Sequence, residues 1–149
     1  MKVIVDTNIV FSAILNSGSR IGKILLHSKG HFQFYSCNYL RVEINRHRIR
    51  LLKLTRLSED ELAELENLVT HNITFIDERL LPEALLKQTE ILLKSIDPND
   101  TPFVTLTKHL EGKLWTGDMQ LYNGLKTKRF KDILTTAELS ILLNDLEGE

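Results

Sequence analysis

The sequence has little of what several classes of protein require. Cys37 is the single cysteine in 149 residues, so the chain can form neither an internal disulfide nor the thiolate cluster of a structural zinc site. The formal net charge is −1, so any contact with nucleic acid must come from a local basic patch. No apolar run approaches the ~18 residues of a membrane span, and Asp6 interrupts the first run too early for a signal peptide. We therefore expect a cytoplasmic protein without a membrane segment.

The composition and length of the chain are typical of a globular domain. The hydrophobic fraction is 42% and the charged fraction is 26%, both ordinary values for a folded chain with its own core. The length suits one domain, which we expect to span residues 1–149.

Strand and helix signals alternate along the chain. Short apolar or alternating runs predict strands at 2–5, 32–36, 73–76, 113–116 and 130–134. Apolar stripes predict helices at 8–15, 20–29, 38–47, from 58 past 69, 82–95, 102–110, 118–125 and from 135 or 136 onward. Asn38 is a predicted helix cap, and Ser58 with Glu61 forms a predicted capping box. This repeated βα pattern predicts a three-layer α/β/α sandwich with a mostly parallel central sheet of about five strands.

Four acids fall near the ends of the predicted strands. Asp6 follows the first strand, Asp118 follows "KLWT", Asp100 opens the helix after "DPND", and Glu43 lies on the helix after the second strand. Because ligands of an open parallel sheet bind beyond the carboxyl ends of its strands, these acids point toward one edge.

A simpler explanation exists for each acid alone. Asp6, Asp100 and Asp118 all precede helices, where aspartate is a favoured cap, and Glu43 could be a solvated helix residue. Helix capping does not explain four acids at one edge. Clustered carboxylates repel one another and need protons or cations to coexist, and oxygen ligands of this kind suit Mg²⁺ or Mn²⁺.

Four segments together resemble the PIN domain, a metal-dependent nuclease fold. They are "VDTNIVFSAIL", "LRVEI", "DPNDTPFVTLT" and "LWTGDMQL", and their order extends the resemblance over nearly the whole chain. The "DPND" variant is similar to prokaryotic PIN proteins related to the VapC-like toxins of toxin–antitoxin systems. The resemblance implies catalytic and metal-binding roles for the acids Asp6, Glu43, Asp100 and Asp118. It also implies supporting roles for Asn8 and Thr116, while Asp97 competes with Asp100 for the third acid position.

The implied activity is endonucleolytic hydrolysis of RNA phosphodiesters with one or two Mg²⁺ or Mn²⁺ ions. The implied partners are single-stranded or structured RNA, an antitoxin protein and a second copy of the chain. Near Glu43, the basic residues Arg46, Arg48 and Arg50 are candidates for RNA contacts. An ordinary solvated helix face explains them equally well.

Two other functions remain open at this point. The same fold could serve as a catalytically inactive module that binds RNA or protein. Alternatively, a doubly wound enzyme could transfer phosphoryl groups through an aspartate. Dehalogenase-like phosphatases expect a second aspartate two residues after the first, however, and this sequence has Asn8 there.

Overall fold

The computed structural model describes residues 1–28 and 30–148. Its centre is one sheet of five parallel strands in the order β3-β2-β1-β4-β5. The strands are β1 Lys2–Val5, β2 Gln33–Cys37, β3 Ile73–Ile76, β4 Lys113–Trp115 and β5 Ile133–Leu134. The predicted α/β/α sandwich with about five mostly parallel strands is confirmed.

Helices connect the strands. They are α1 Thr7–Leu15, α2 Arg20–His27, α3 Tyr39–Arg46, α4 Arg48–Thr55, α5 Glu59–Thr70, α6 Glu83–Leu93, α7 Thr101–Leu110, α8 Met119–Thr127 and α9 Thr136–Glu147. Single 3₁₀ turns lie at Glu78–Leu80 and Pro98–Asp100. The helix predicted at 20–29 ends at His27, and Lys29 lies outside the described residues.

The order of the strands explains the apolar run at the N-terminus. β1 lies at the centre of the sheet, where α7 packs on it, and Val3, Ile4 and Val5 are fully buried. A central parallel strand covered on both faces requires such a continuous apolar run. Trp115 on β4 is also fully buried, and its Nε1 donates to Thr136 Oγ1 at 3.0 Å. The residue that follows β1 therefore lies at the carboxyl edge of the sheet, directly after a fully buried central strand.

One of the two predicted helix caps is confirmed and the other is wrong. Ser58 and Glu61 form the expected capping box, and α9, predicted to begin at 135 or 136, begins at Thr136 with Thr135 as its N-cap. Asn38 precedes α3, but its side chain makes no capping hydrogen bond. Its backbone is already helical, with φ −61° and ψ −24°, whereas a capping residue is normally extended.

The helix predicted through His47 is shorter than expected. α3 ends at Arg46, and α4 begins at Arg48 after a turn at His47, where φ is −99° and ψ is 12°. The basic side chains of this segment are therefore divided between two helices, with Arg41 and Arg46 on α3 and Arg48 and Arg50 on α4.

No single helix in residues 1–28 and 30–148 has both the length and the apolarity to cross a membrane. The bent pair of α1 and α2, with an angle of 107° between them, reaches the required length and composition only together.

Candidate active site

A cavity of about 310 Å³ lies beyond the carboxyl end of β1. Beside the apolar ring of Phe11, the chain brings polar and charged side chains from several separate segments to it: Asp6, Thr7, Asn8, Glu43, His47, Arg50, Asp97, Asn99, Asp100 and Asp118. All four acids predicted from the sequence line this space, and so does Asp97. We call it the carboxylate cavity.

Asp6 forms the buried base of the carboxylate cavity. It follows β1 directly and is only 2% exposed. One carboxylate oxygen accepts from the backbone N–H of Ile9 at 3.1 Å, and the other accepts from Thr116 Oγ1 at 2.5 Å. Burial raises the pKa of Asp6 to about 7, although both hydrogen bonds oppose the shift, and the charges of Asp118 and Glu43 raise it further. Asp6 therefore caps α1, and burial disfavours the charged form of its carboxyl group.

Thr116 connects Asp6 to Asp118. Its hydroxyl donates to Asp6 and accepts from the backbone N–H of Asp118 at 3.0 Å. Asp118 caps α8 by accepting from the N–H groups of Gln120 and Leu121 through Oδ1, at 2.9 and 3.2 Å. This leaves its second carboxylate oxygen for other interactions. The hydroxyl of Thr116 thus sets the relative position of two acids from neighbouring strands.

Glu43 is positioned by a residue that the sequence did not single out. Thr7 Oγ1 donates to Glu43 Oε1 at 2.5 Å, across 36 positions of the chain. Thr7 lies directly after Asp6, at the first position of α1. In the sequence, Thr7 is marked only by its position next to Asp6 at the end of a predicted strand. Its hydrogen bond with Glu43 depends on tertiary structure.

Asp97 and Asp100 occupy the two ends of one 3₁₀ turn, and their side chains differ in what they bind. Asp97 caps the turn by accepting from the backbone N–H of Asn99 at 3.0 Å. Asp100 precedes α7, yet its side chain makes no capping hydrogen bond. Burial raises the pKa of Asp100 to about 8, and the neighbouring charges raise it further, first that of Asp6 and then those of Asp97, Asp118 and Glu43. Helix capping therefore does not account for Asp100.

The remaining predicted residues are divided between the cavity and the surface. Asn8 is exposed and lines the carboxylate cavity, as does Arg50. Arg46 instead donates to the Tyr39 hydroxyl at 3.2 Å, and Arg48 donates to the Glu59 backbone carbonyl at 3.3 Å. The roles of these side chains in binding RNA stay predictions.

The donor set of the cavity fits a hard divalent cation. It offers carboxylate oxygens that are buried or held by hydrogen bonds, and the raised pKa values of Asp6 and Asp100 show that the negative charges are poorly compensated. Within the described residues, no three His, Cys, Asp or Glu side chains already stand in an arrangement that could hold a metal ion. Repulsion between the carboxylates favours a larger distance between their oxygens in the absence of a cation. Binding of a cation would therefore require the carboxylate oxygens to move closer together.

Replacing Thr116 with valine is expected to weaken cation binding about 10- to 100-fold, the usual cost of losing a residue that orients a metal ligand. The substitution keeps the volume but removes the hydroxyl that Asp6 and the Asp118 N–H share. Titration calorimetry with Mn²⁺ measures the change. Thr127→Val is the control, because that hydroxyl bonds only within α8, to the Asn123 carbonyl. Equal affinities of the two variants would contradict the role of Thr116.

Fold and cavity together define a parallel α/β protein with a carboxylate-lined site at the carboxyl edge of its sheet. A family model described as the PIN domain matches residues 4–143. The chain therefore belongs to the PIN domain family, whose members are generally nucleases and generally use divalent metal ions. The resemblance stated from the sequence is confirmed.

A solved structure supports the same fold. The chain is similar to one in the crystal structure of VapBC2 from Rickettsia felis bound to a DNA fragment from their promoter, with a TM-score of 0.66 and 14% sequence identity. The match covers 91% of this chain and 97% of that chain. No protein with a curated description matches the sequence.

Proposed function

We propose that this protein is an endoribonuclease that depends on Mg²⁺ or Mn²⁺ and hydrolyses RNA phosphodiesters at the carboxylate cavity. The observation that carries the proposal is the meeting of four acids from distant segments in one cavity: Asp6, Glu43, Asp100 and Asp118. Family membership supplies the reaction class, since PIN domains are generally nucleases.

In this proposal the same four carboxylates hold one or two ions, and Asp97 lies close enough to join them or to replace Asp100. When bound, such ions act as Lewis acids on the phosphate and lower the pKa of water. The protein supplies orientation: Thr116 fixes Asp6 relative to Asp118, and Thr7 fixes Glu43. Asn8 is exposed and lines the cavity, which supports a role for its side chain in contacting water or substrate.

The test is cleavage of a panel of single-stranded and structured RNAs with Mn²⁺ or Mg²⁺. We expect products with 5′-phosphate and 3′-hydroxyl ends, no cleavage in EDTA, and no cleavage by Asp118→Asn. Asp132→Asn is the control, because Asp132 is an exposed residue whose carboxylate pairs with Lys113 at 2.6 Å. Cleavage by Asp118→Asn at the wild-type rate would overturn the assignment.

We further propose that the nuclease is the toxin of a cytoplasmic toxin–antitoxin pair. The support is the structural similarity to a chain of VapBC2, a complex described as bound to DNA from its own promoter. An antitoxin partner and a homodimer follow as expectations. Expression of the chain alone should arrest growth, and co-expression with a small protein encoded beside it should restore growth and yield a stable complex. Light scattering that gives the mass of one chain would contradict the homodimer.

A further inference from the structure

Two basic side chains line the carboxylate cavity in the described part of the chain. His47 lies in the turn between α3 and α4, and Arg50 lies in the first turns of α4. His47 was not singled out from the sequence, and Arg50 could not be distinguished there from Arg46 and Arg48. Both side chains face a space that is otherwise dominated by carboxylates.

Phe11 on α1 contacts both of them. The Arg50 guanidinium carbon lies 5.4 Å from the centroid of the Phe11 ring, and the His47 ring meets Phe11 edge-on at a centroid distance of 6.0 Å and an interplanar angle of 84°. An arginine over an aromatic face keeps its planar edge available for hydrogen bonds. The aromatic ring thus supports both side chains at one wall of the cavity.

Arg50 shares the carboxylate cavity with five acids: Asp6, Glu43, Asp97, Asp100 and Asp118. Among the described residues, no ion pair within 4.0 Å joins Arg50 or His47 to an acidic side chain. The neighbouring arginines are engaged elsewhere: Arg41 pairs with Glu66 at 3.8 Å, while Arg46 and Arg48 make the hydrogen bonds described above. Of these four arginines, Arg50 is the one that lines the carboxylate cavity, and within the described residues its side chain makes no hydrogen bond or ion pair.

A phosphodiester that enters this cavity faces strong repulsion from the carboxylates, which a cation only partly offsets. A planar guanidinium can donate two parallel hydrogen bonds to a phosphate, and an imidazole N–H can donate a third. The wall formed by Phe11, His47 and Arg50 is the part of the cavity where a negative group meets favourable charge.

We propose that Arg50, with His47 beside it, binds a backbone phosphate of the RNA strand and so positions the strand against the carboxylates. This inference rests on the proposed function, because it deepens the description of the same site. It assigns the recognition to the sugar–phosphate backbone, so binding at this position carries no base preference.

The experiment measures binding of a short fluorescent single-stranded RNA by anisotropy, with Ca²⁺ replacing Mn²⁺. For Arg50→Gln we expect a dissociation constant about 10- to 100-fold higher, as for loss of a charge-assisted hydrogen-bond pair. The slope of log affinity against log salt concentration should become less steep by about 0.7, which is the contribution of one phosphate contact on a single strand. Arg50→Lys should restore the slope but only part of the affinity. Lys23→Gln, which removes the same charge from an exposed position on α2 outside the cavity, is the control.

A second measurement separates phosphate binding from a merely structural role. If Arg50 binds RNA, Arg50→Gln should bind Mn²⁺ at least as tightly as wild type, because a positive charge leaves the cavity, and in cleavage assays should raise KM more than it lowers kcat. If Arg50 serves only as an internal counter-ion, RNA binding and KM stay unchanged, which overturns the proposal.

The RNA measurements also separate this inference from the proposed function. A dissociation constant and salt slope equal to those of Lys23→Gln would overturn the role of Arg50, even in an active nuclease. A wild-type protein that binds RNA through Arg50 but cleaves none with Mn²⁺ or Mg²⁺ would contradict the proposed function and leave the phosphate site standing.

Discussion

Replacing Asp6 with asparagine is expected to reduce metal-dependent RNA cleavage by at least about 100-fold, the upper end of the cost of disturbing a metal ligand's surroundings. Asparagine has nearly the same shape and keeps an oxygen that can accept from the Ile9 N–H. It lacks the negative charge that a divalent cation requires. The variant should therefore fold with an intact α1 cap and lose activity, as initial rates with saturating Mn²⁺ would show.

The matched control for this substitution is Asp145→Asn. Asp145 is exposed on α9, so the same chemical change occurs there away from the carboxylate cavity. We expect wild-type cleavage from this control. If Asp6→Asn cleaved RNA as fast as Asp145→Asn, Asp6 would be only a helix cap, and the assignment of the site would be wrong.

The second large effect concerns stability and pH in the absence of metal. The pKa of Asp6 is about 7 in the folded protein against an ordinary value of 3.8. Between these values the folded state holds a proton that the unfolded state has lost, so stability falls as pH rises through this window. From pH 5 to pH 8 the contribution of Asp6 to the free energy of unfolding should fall by about 3 kcal/mol. Asp100, with a pKa of about 8, acts in the same direction.

Urea unfolding in EDTA at pH 5 and pH 8 measures this loss. Asp6→Asn should be more stable than wild type at pH 8 and should show a smaller fall between the two pH values, whereas Asp145→Asn should follow wild type. Adding Mn²⁺ at pH 8 should stabilise wild type but not Asp6→Asn, because a ligand that binds only the folded state raises its stability. An equal fall in the free energy of unfolding of wild type and Asp6→Asn would show that burial does not disfavour the charged form of Asp6.

The acids of the carboxylate cavity could be predicted because their positions follow from local rules. A continuous apolar run marks β1 as a central strand, and the residue after a parallel strand lies at its carboxyl edge, where ligands collect. Asp6 could be placed on this basis alone, and Asp118 by the same argument from β4. The raised pKa values of Asp6 and Asp100 have no local signature, since they arise from burial and from charges distant in sequence.

The positioning residues and the basic wall could not be predicted, since both depend on tertiary structure. The hydrogen bond from Thr7 to Glu43 joins α1 to α3. α3 ends at Arg46 and α4 begins at Arg48, so a pattern of arginines that looks continuous in sequence is divided between two helices. Only the folded chain shows that Arg50 faces the acids while its neighbours bind elsewhere.

Titration calorimetry with Mn²⁺ shows whether carboxylates from separate segments of the chain form one divalent-cation site. We expect saturable binding to the metal-free wild type at pH 8, with proton release at pH 7 because Asp6 and Asp100 must ionise. We also expect loss of that binding in each of the single variants Asp6→Asn and Asp118→Asn, and unchanged binding in Asp145→Asn. No binding by the wild type, or equal binding by all three variants, would contradict a shared cation site.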